Sequence, residues 1–114
     1  LNWQLKERGA VLKQVTRTAP VYRMYALAGG PPFRPGLVLD ETAGAAIDVE
    51  IWSVPSSEFG SFVAGIPAPL GIGKVKVADG SMVSGFICEP YGLEGATEIT
   101  ELGGWRAYMT SLKP

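Results

Sequence analysis

Residues 74–88 have the sequence KVKVADGSMVSGFIC, and this stretch indicates the fold class more clearly than any other. Apolar residues alternate with polar or small ones on both sides of Asp79-Gly80. Both positions of that dipeptide tolerate positive φ, and Asp-Gly between alternating segments is the strongest short signal for a β-hairpin. The stretch therefore predicts two antiparallel strands, at 74–78 and 82–88.

Three other segments have the composition of strands. Residues 22–27 are aromatic and apolar and run into the glycine and proline cluster at 29–32, and residues 36–39 form a short apolar run. From 47 to 54, apolar and polar residues alternate with period two, which predicts a strand with one wetter face. The apolar face would hold Ile47, Val49 and Ile51, and the wetter face Asp48, Glu50 and Trp52.

Short helices are predicted at both ends of the chain and in its middle. The first has apolar residues mainly at helical spacing and ends near Gly9, and a middle helix capped by Ser56 or Ser57 ends at Pro67. The apolar positions of the three helices are Leu1, Leu5 and Leu12, then Phe59, Phe62, Val63 and Ile66, then Leu102, Trp105, Met109 and Leu112. Thr100 is the candidate N-cap of the closing helix. The pattern predicts a single α+β domain over residues 1–114, with a small, mostly antiparallel sheet or barrel and a few short helices.

Composition and charge exclude several classes of function. Ten Lys or Arg and eleven Asp or Glu occur without a run of like charge, so the basic surface that binds nucleic acid is absent. The lack of histidine removes the commonest metal ligand and general base, and no glycine cluster has nucleotide-loop spacing. No apolar segment reaches membrane-spanning length. We therefore expect no nucleic acid, membrane, metal or cofactor, and the single cysteine, Cys88, fits a cytosolic compartment.

Four polar side chains have positions suited to chemistry, and each also has a purely structural interpretation. Glu50 would be a partly buried carboxylate that handles a proton, or an exposed strand carboxylate. Tyr25 would offer its hydroxyl to a pocket, or pack in the core. Arg106 would bind a substrate carboxylate in a bidentate way, or pair with a local acid. Arg34, in a loop held by prolines, would present its charge to a ligand or to solvent.

Residues 67–71, with the sequence PAPLG, are a further candidate for a binding site. Proline fixes φ and directs the neighbouring carbonyl groups, so this segment is suited to form a rigid pocket wall. Its other interpretation is the connection between the middle helix and the following strand. The candidate substrate contacts are Arg34, Pro35, Gly36, Pro69, Leu70, Gly71 and Arg106.

Ordered sequence blocks extend over nearly the whole chain. They are LNWQL at 1–5, TAP at 18–20, YRMYAL at 22–27, PGLV at 35–38, VEIWSVP at 49–55, IPAPLGIG at 66–73, GFICE at 85–89 and GGWRAY at 103–108. Together these blocks resemble the C-terminal domain of the allophanate hydrolases. Matches this long and ordered are more specific than any single motif above.

The resemblance implies a fold similar to the small γ-glutamylcyclotransferase, or AIG2-like, barrel. It also implies that an N-terminal amidase domain of the same polypeptide hydrolyses allophanate, and that this domain then promotes decarboxylation of the N-carboxycarbamate product. The pathway would degrade urea or s-triazines to ammonia and CO2. Decarboxylation needs a pocket that desolvates a carboxylate and delivers a proton to nitrogen. Glu50 and Tyr25 would then be catalytic, the ligand a small anion, and the enzyme a homodimer.

The chain differs from the family pattern at two places. Ile66 or a neighbour stands where cyclotransferases carry a catalytic glutamate, so cyclotransferase activity is not expected. The chain also begins after a strand and a histidine-containing loop that the family places before LNWQL, so we expect its first strand and loop to be missing.

Two other functions stay open: a non-catalytic module that supports assembly or stability of the amidase, and a stand-alone AIG2-like protein. A catalytic pocket should be lined by side chains such as Tyr25, Arg34 or Glu50, whereas a scaffold should be apolar or filled there.

Overall fold

The computed structural model describes residues 2–29 and 33–112. Leu1 and residues 30–32, which entered the predictions of the first helix and of the loop after residue 27, lie outside this range. The elements are α1 Asn2–Glu7, β1 Val11–Arg17, β2 Tyr22–Ala26, β3 Pro35–Leu39, β4 Asp48–Ser53, α2 Ser56–Ala64, β5 Leu70–Lys76, β6 Met82–Cys88, β7 Thr97–Glu98 and α3 Trp105–Ser111. Two 3-10 turns, Pro90–Leu93 and Thr100–Leu102, complete the order. These elements confirm the predicted α+β class.

The strands form three small antiparallel sheets. β1 pairs with β4, β2 lies between β3 and β7, and β5 pairs with β6. A bridge between Thr18 and Val77 connects the end of β1 to the end of β5, and β3 lies beside β6. The predicted antiparallel arrangement is therefore confirmed.

The hairpin at Asp79-Gly80 is confirmed, but its first strand is displaced from the prediction. Gly80 has φ of 91°, and the Val77 N–H donates to the Ser81 carbonyl at 2.9 Å across the turn. β5 begins at Leu70 rather than at residue 74. Part of the segment predicted as a loop therefore belongs to a strand.

β1 is the longer of the two strands that the sequence does not predict, the other being the two-residue β7. The helical pattern includes Leu12, but α1 ends at Glu7, Gly9 adopts φ of 77°, and the chain continues as an extended strand. The β1–β4 register shifts between Leu12 and Gln14, as at a β-bulge. A bulge interrupts the period-two pattern on which strand prediction depends.

The predicted caps of α2 are wrong. Pro55 occupies the N-cap position and no side chain caps the helix, so neither Ser56 nor Ser57 has that role. Proline has the extended conformation that an N-cap needs, with φ −53° and ψ 134°. The helix ends at Ala64, so Ile66 lies beyond it.

The predicted cap of α3 is also wrong. Thr100 lies in a separate 3-10 turn, where its hydroxyl accepts a hydrogen bond from the Met24 N–H at 3.0 Å. Gly103 takes the left-handed conformation after that turn, and Gly104 is the N-cap of α3. The two glycines thus separate one expected helix into two short pieces.

The main hydrophobic core lies between the three-stranded sheet and the β5–β6 hairpin. Its buried members are Tyr22, Met24, Ala26, Ile47, Val75 and Ile99. A second buried cluster connects α1 and α2 and consists of Leu5, Ala10 and Phe62. Trp52 packs against this cluster. The predicted wetter face of β4 is therefore only partly correct: Asp48 is exposed, but Glu50 and Trp52 are as half-buried as the apolar residues beside them.

Candidate functional site

Tyr25 lies in the middle of the three-stranded sheet, on the face opposite the main core. Alternate residues of β2 are buried in that core, and Tyr25 belongs to the other, half-buried set. Its direct neighbours are Gly36 on β3 and Glu98 on β7. Directly opposite residues project from the same face of an antiparallel pair. The Tyr25 side chain thus has a carboxylate on one side and no side chain on the other.

Arg34 lies immediately before β3, two positions from Gly36 and therefore on the same face of the strand. Its carbonyl accepts the Leu27 N–H at 3.0 Å, which extends the β2–β3 ladder. Its Nη1 donates to the Ala68 carbonyl at 3.3 Å. In the described part of the chain, no ion pair within 4.0 Å includes Arg34. Most of its donors are therefore available to an anion.

A close-packed corner adjoins this face of β3. A Cβ on Gly36 would lie 2.8 Å from Leu27 Cδ2 and 3.2 Å from Cys88 Sγ. A Cβ on Gly92 would lie 2.6 Å from Pro69 Cβ and 2.9 Å from Cys88 Sγ. Protein interiors are packed to crystal density, so neither position has room for a larger residue. Pro69, predicted as a pocket wall, forms part of this apolar corner.

The other predicted contacts lie on the flanks of the corner. Leu70 is opposite Cys88 in the β5–β6 ladder, and Gly71 is opposite Ile87. An added Cβ on Gly71 would have no atom within 4 Å, so this position borders open space. Pro35 is opposite Ala26 in the β2–β3 ladder.

Cys88 is a buried thiol within reach of the charge of Arg34. Burial raises the pKa of the thiol, the Arg34 charge partly opposes this, and the Glu89 charge adds to it. Its Sγ donates to the Glu89 carbonyl at 3.3 Å. A buried thiol with a raised pKa is a poor nucleophile, so its contribution here is packing.

Glu50 and Arg106, two other predicted site residues, are joined to each other in a different part of the molecule. Glu50 Oε2 accepts from Arg106 Nη2 at 2.7 Å, and its Oε1 accepts from Trp52 Nε1 at 3.2 Å. The Glu50 side chain is 24% exposed and that of Arg106 is 82% exposed. The alternative interpretation of Arg106, a pairing with a nearby acid, is the arrangement observed. Both carboxylate oxygens of Glu50 are already engaged.

Sequence analysis missed a charged network beside Tyr25. Arg23, on the same face of β2, forms ion pairs with Asp40 at 3.0 Å and with Glu98. Asp40 Oδ1 accepts hydrogen bonds from the Ala43 and Thr42 N–H groups and from the Thr42 hydroxyl, and these lower its pKa to about 2, with Arg23 adding to the effect. The alternation of residues 22–26 would have placed Arg23 on this face. No local pattern marks Glu98, because β7 has two residues.

A cleft with a volume of about 460 Å3 lies between β2–β3 and the β5–β6 hairpin, and it shares Cys88 with the close-packed corner. It is lined mainly by apolar side chains together with Tyr22, Glu41, Lys74 and Lys76. None of the predicted site residues lines it.

Within residues 2–29 and 33–112, no three His, Cys, Asp or Glu side chains lie close enough together to hold a metal ion. None of the helices in the same ranges is long and apolar enough to cross a membrane.

Comparison with known proteins identifies the family. The model of the allophanate hydrolase C-terminal domain matches residues 1–110. A urea amidolyase of Saccharomyces cerevisiae is 40% identical over 99% of the chain, which covers 6% of that protein. The solved Kluyveromyces lactis allophanate hydrolase superposes with a TM-score of 0.95 at 38% identity, over 99% of this chain and 19% of that one.

A third relative is much closer in length to this chain. It is c4763, described as a uropathogenic E. coli-specific protein, whose crystal structure gives a TM-score of 0.88 at 37% identity. The match covers 99% of this chain and 87% of that one. The domain thus occurs both as a small part of long polypeptides and in a short chain. With the family model matched from residue 1 to residue 110, this chain belongs to the allophanate hydrolase C-terminal domain family.

Proposed function

We propose that this domain acts within an allophanate hydrolase, where it promotes decarboxylation of the N-carboxycarbamate that an amidase domain releases. The observation that carries the proposal is the placement of Tyr25 and Arg34 on one face of the β2–β3 ladder, beside an apolar corner. Among the described residues, Arg34 has no carboxylate partner. Its charge, the Tyr25 hydroxyl and an apolar surface that removes water are what this reaction needs.

The substrate is a nitrogen that bears one hydrogen and two carboxylates. Arg34 binds one carboxylate, and the other lies against the corner formed by Leu27, Pro69 and Cys88, where it loses water. The C–N bond to this second carboxylate breaks, CO2 leaves, and the electron pair stays on nitrogen. Tyr25 gives its hydroxyl proton to that nitrogen and regains a proton from water. The products are carbamate, which decomposes to ammonia and CO2, and the CO2 released in the step.

Glu50 and Arg106 are the second candidate group, with Glu50 as the proton-handling residue and Arg106 as the carboxylate ligand. Since Arg106 is 82% exposed and uses one donor on Glu50, it has further donors for an anion. The two candidate groups can be tested separately, because Glu50 lies on the β1–β4 sheet whereas Tyr25 and Arg34 lie on the three-stranded sheet.

The test uses the complete polypeptide that carries this domain, with allophanate as substrate. Tyr25→Phe and Arg34→Met should leave the amidase step intact but slow CO2 release by roughly 10²-fold, as removal of one general acid does. N-carboxycarbamate should then accumulate. Tyr91→Phe, at an exposed tyrosine, is the matched control. If Glu50→Gln gives the accumulation and Tyr25→Phe does not, the second group is the site.

A non-catalytic role in assembly is the alternative function, and one feature favours it. β1 carries exposed apolar side chains on one face of its pair with β4, with Leu12 at 42% and Val15 at 71% exposure. A contiguous exposed apolar surface is typical of a protein interface. Under this alternative, the polypeptide without residues 1–114 would lose its dimeric state or its stability, and no intermediate would accumulate.

We also propose that one further strand completes the domain. Lys76 directs its N–H to the Tyr22 hydroxyl and its carbonyl to the Ala19 N–H, away from β6, so Lys74 directs its own groups to the same side. In the β2–β3 ladder, the residues on either side of Leu37 are the ones that hydrogen-bond to β2. The N–H and C=O groups of Leu37 therefore point away from β2. Both residues line the cleft. An added strand should protect their amides from hydrogen exchange in the complete polypeptide, whereas amides that exchange equally fast there would refute it.

A further inference from the structure

Glu98 has a position next to Tyr25 that the proposed reaction does not use. It is the direct partner of Tyr25 across the β2–β7 pair, and such partners have Cβ atoms about 4.5–5.5 Å apart. Its side chain is 37% exposed, so a ligand beside Tyr25 can reach it. The carboxylate therefore belongs to the side chain next to Tyr25 on the same face of the sheet.

The orientation of this carboxylate is held by a chain of charged contacts. Glu98 Oε2 is bound by Arg23, which also binds Asp40. Asp40 is in turn fixed by three hydrogen bonds from the turn at residues 42–43. Oε1 of Glu98 accepts no hydrogen bond from the described residues, so one oxygen of a fixed carboxylate is free to accept a bond from a ligand.

We propose that Glu98 is a specificity-determining residue that accepts a hydrogen bond from the N–H between the two carboxylates of the substrate. The inference rests on the proposed function, because it requires the anion to lie between Arg34 and Tyr25. An ionised carboxylate is an acceptor only and repels the carboxylates of the ligand. Glu98 therefore discriminates between ligands and does not raise the affinity for dianions in general. A dianion with a central N–H donates a hydrogen bond to the Glu98 carboxylate, and one with a central CH2 cannot.

Two stable dianions test this point, because they differ only in the central group. Imidodisulfonate has an N–H between its two sulfonates, and methanedisulfonate has a CH2. Their binding is measured by calorimetry with the complete polypeptide and with its Glu98→Ala variant. The wild type should bind imidodisulfonate roughly tenfold more tightly, as expected for a hydrogen bond to a charged acceptor.

Glu98→Ala should bind both dianions with nearly equal affinity. Glu101→Ala is the matched control, since it removes the same charge from an exposed site three residues along the chain and should keep the preference. The wild-type preference itself needs no variant, so the test does not depend on the stability of Glu98→Ala.

The outcomes separate this inference from the proposed function. Equal binding of the two dianions by the wild type, or a preference that survives in Glu98→Ala, overturns the role of Glu98 and leaves the anion site standing. Failure of the wild type to bind either dianion overturns the anion site as well.

Discussion

Substitution of Gly92 by alanine tests the packing of the corner beside the candidate site. The added Cβ would lie 2.6 Å from Pro69 Cβ and 2.9 Å from the Cys88 thiol. The proline ring is rigid and Cys88 is 9% exposed, so neither neighbour can move aside without displacing others. The strain should therefore appear as a loss of folding stability.

The expected change in the free energy of unfolding is the sum of two opposing effects. Replacing glycine by alanine reduces the entropy of the unfolded chain, which stabilises by about 0.4–1 kcal/mol. Overpacking a close-packed site costs about 1–3 kcal/mol. Gly92→Ala should therefore be less stable than the wild type by about 1–2 kcal/mol. Gly71→Ala makes the same chemical change where no atom lies within 4 Å, so it should be neutral or more stable by up to about 1 kcal/mol.

Urea unfolding of both variants measures the difference directly. A gap of about 2 kcal/mol corresponds to midpoints separated by about 1 M urea for a domain of this size. As a second readout, the thiol of Cys88 should react faster with a disulfide reagent in folded Gly92→Ala than in folded Gly71→Ala. If Gly92→Ala is as stable as Gly71→Ala and its thiol is as protected, the corner is not packed as described.

Three other predictions concern pH, thiol chemistry and the core. The pKa of Asp40 is lowered from 3.8 to about 2, so the ionised carboxylate stabilises the fold above its ordinary pKa, and this contribution is lost as pH falls toward 2. The difference in free energy of unfolding between wild type and Asp40→Asn should therefore shrink over that pH range. Urea unfolding at a series of acidic pH values measures it. Cys88 should react with a thiol reagent much more slowly in the native protein than in urea, because burial raises its pKa and limits access, and equal rates would contradict its placement. Ile47→Ala should cost about 2–5 kcal/mol since the side chain is fully buried, whereas Val15→Ala, at 71% exposure, should change stability by less than about 0.5 kcal/mol.

Much of the fold could be predicted because its signals are local. The Asp79-Gly80 turn, the end of α1 before Gly9 and the apolar segment that became β2 each depend on the conformational preferences of a few adjacent residues. The elements that failed were those without such a signal. The Leu12–Gln14 bulge interrupts the alternation of apolar and polar residues in β1. Pro55, and not a serine, is the N-cap of α2, because the backbone becomes helical at the residue after Pro55.

The candidate side chains were visible in the sequence, but their grouping was not. The polar or charged side chains of Tyr25, Arg34, Glu50 and Arg106 mark these residues as candidates. Their division into two groups follows from which strands pair, since β2 lies between β3 and β7 whereas β4 pairs with β1. Strand pairing of this kind is decided by burial across the whole domain and not by neighbouring residues.

The sequence by itself determined the family, the α+β class and the residue types available for chemistry, since these depend on residue identity and order. Only the tertiary structure decided that Glu98 lies opposite Tyr25 and that the Arg106 guanidinium is already bound by Glu50. Contacts between residues so far apart in the chain exist only after the sheets have formed, because strand register sets them and no local pattern encodes it.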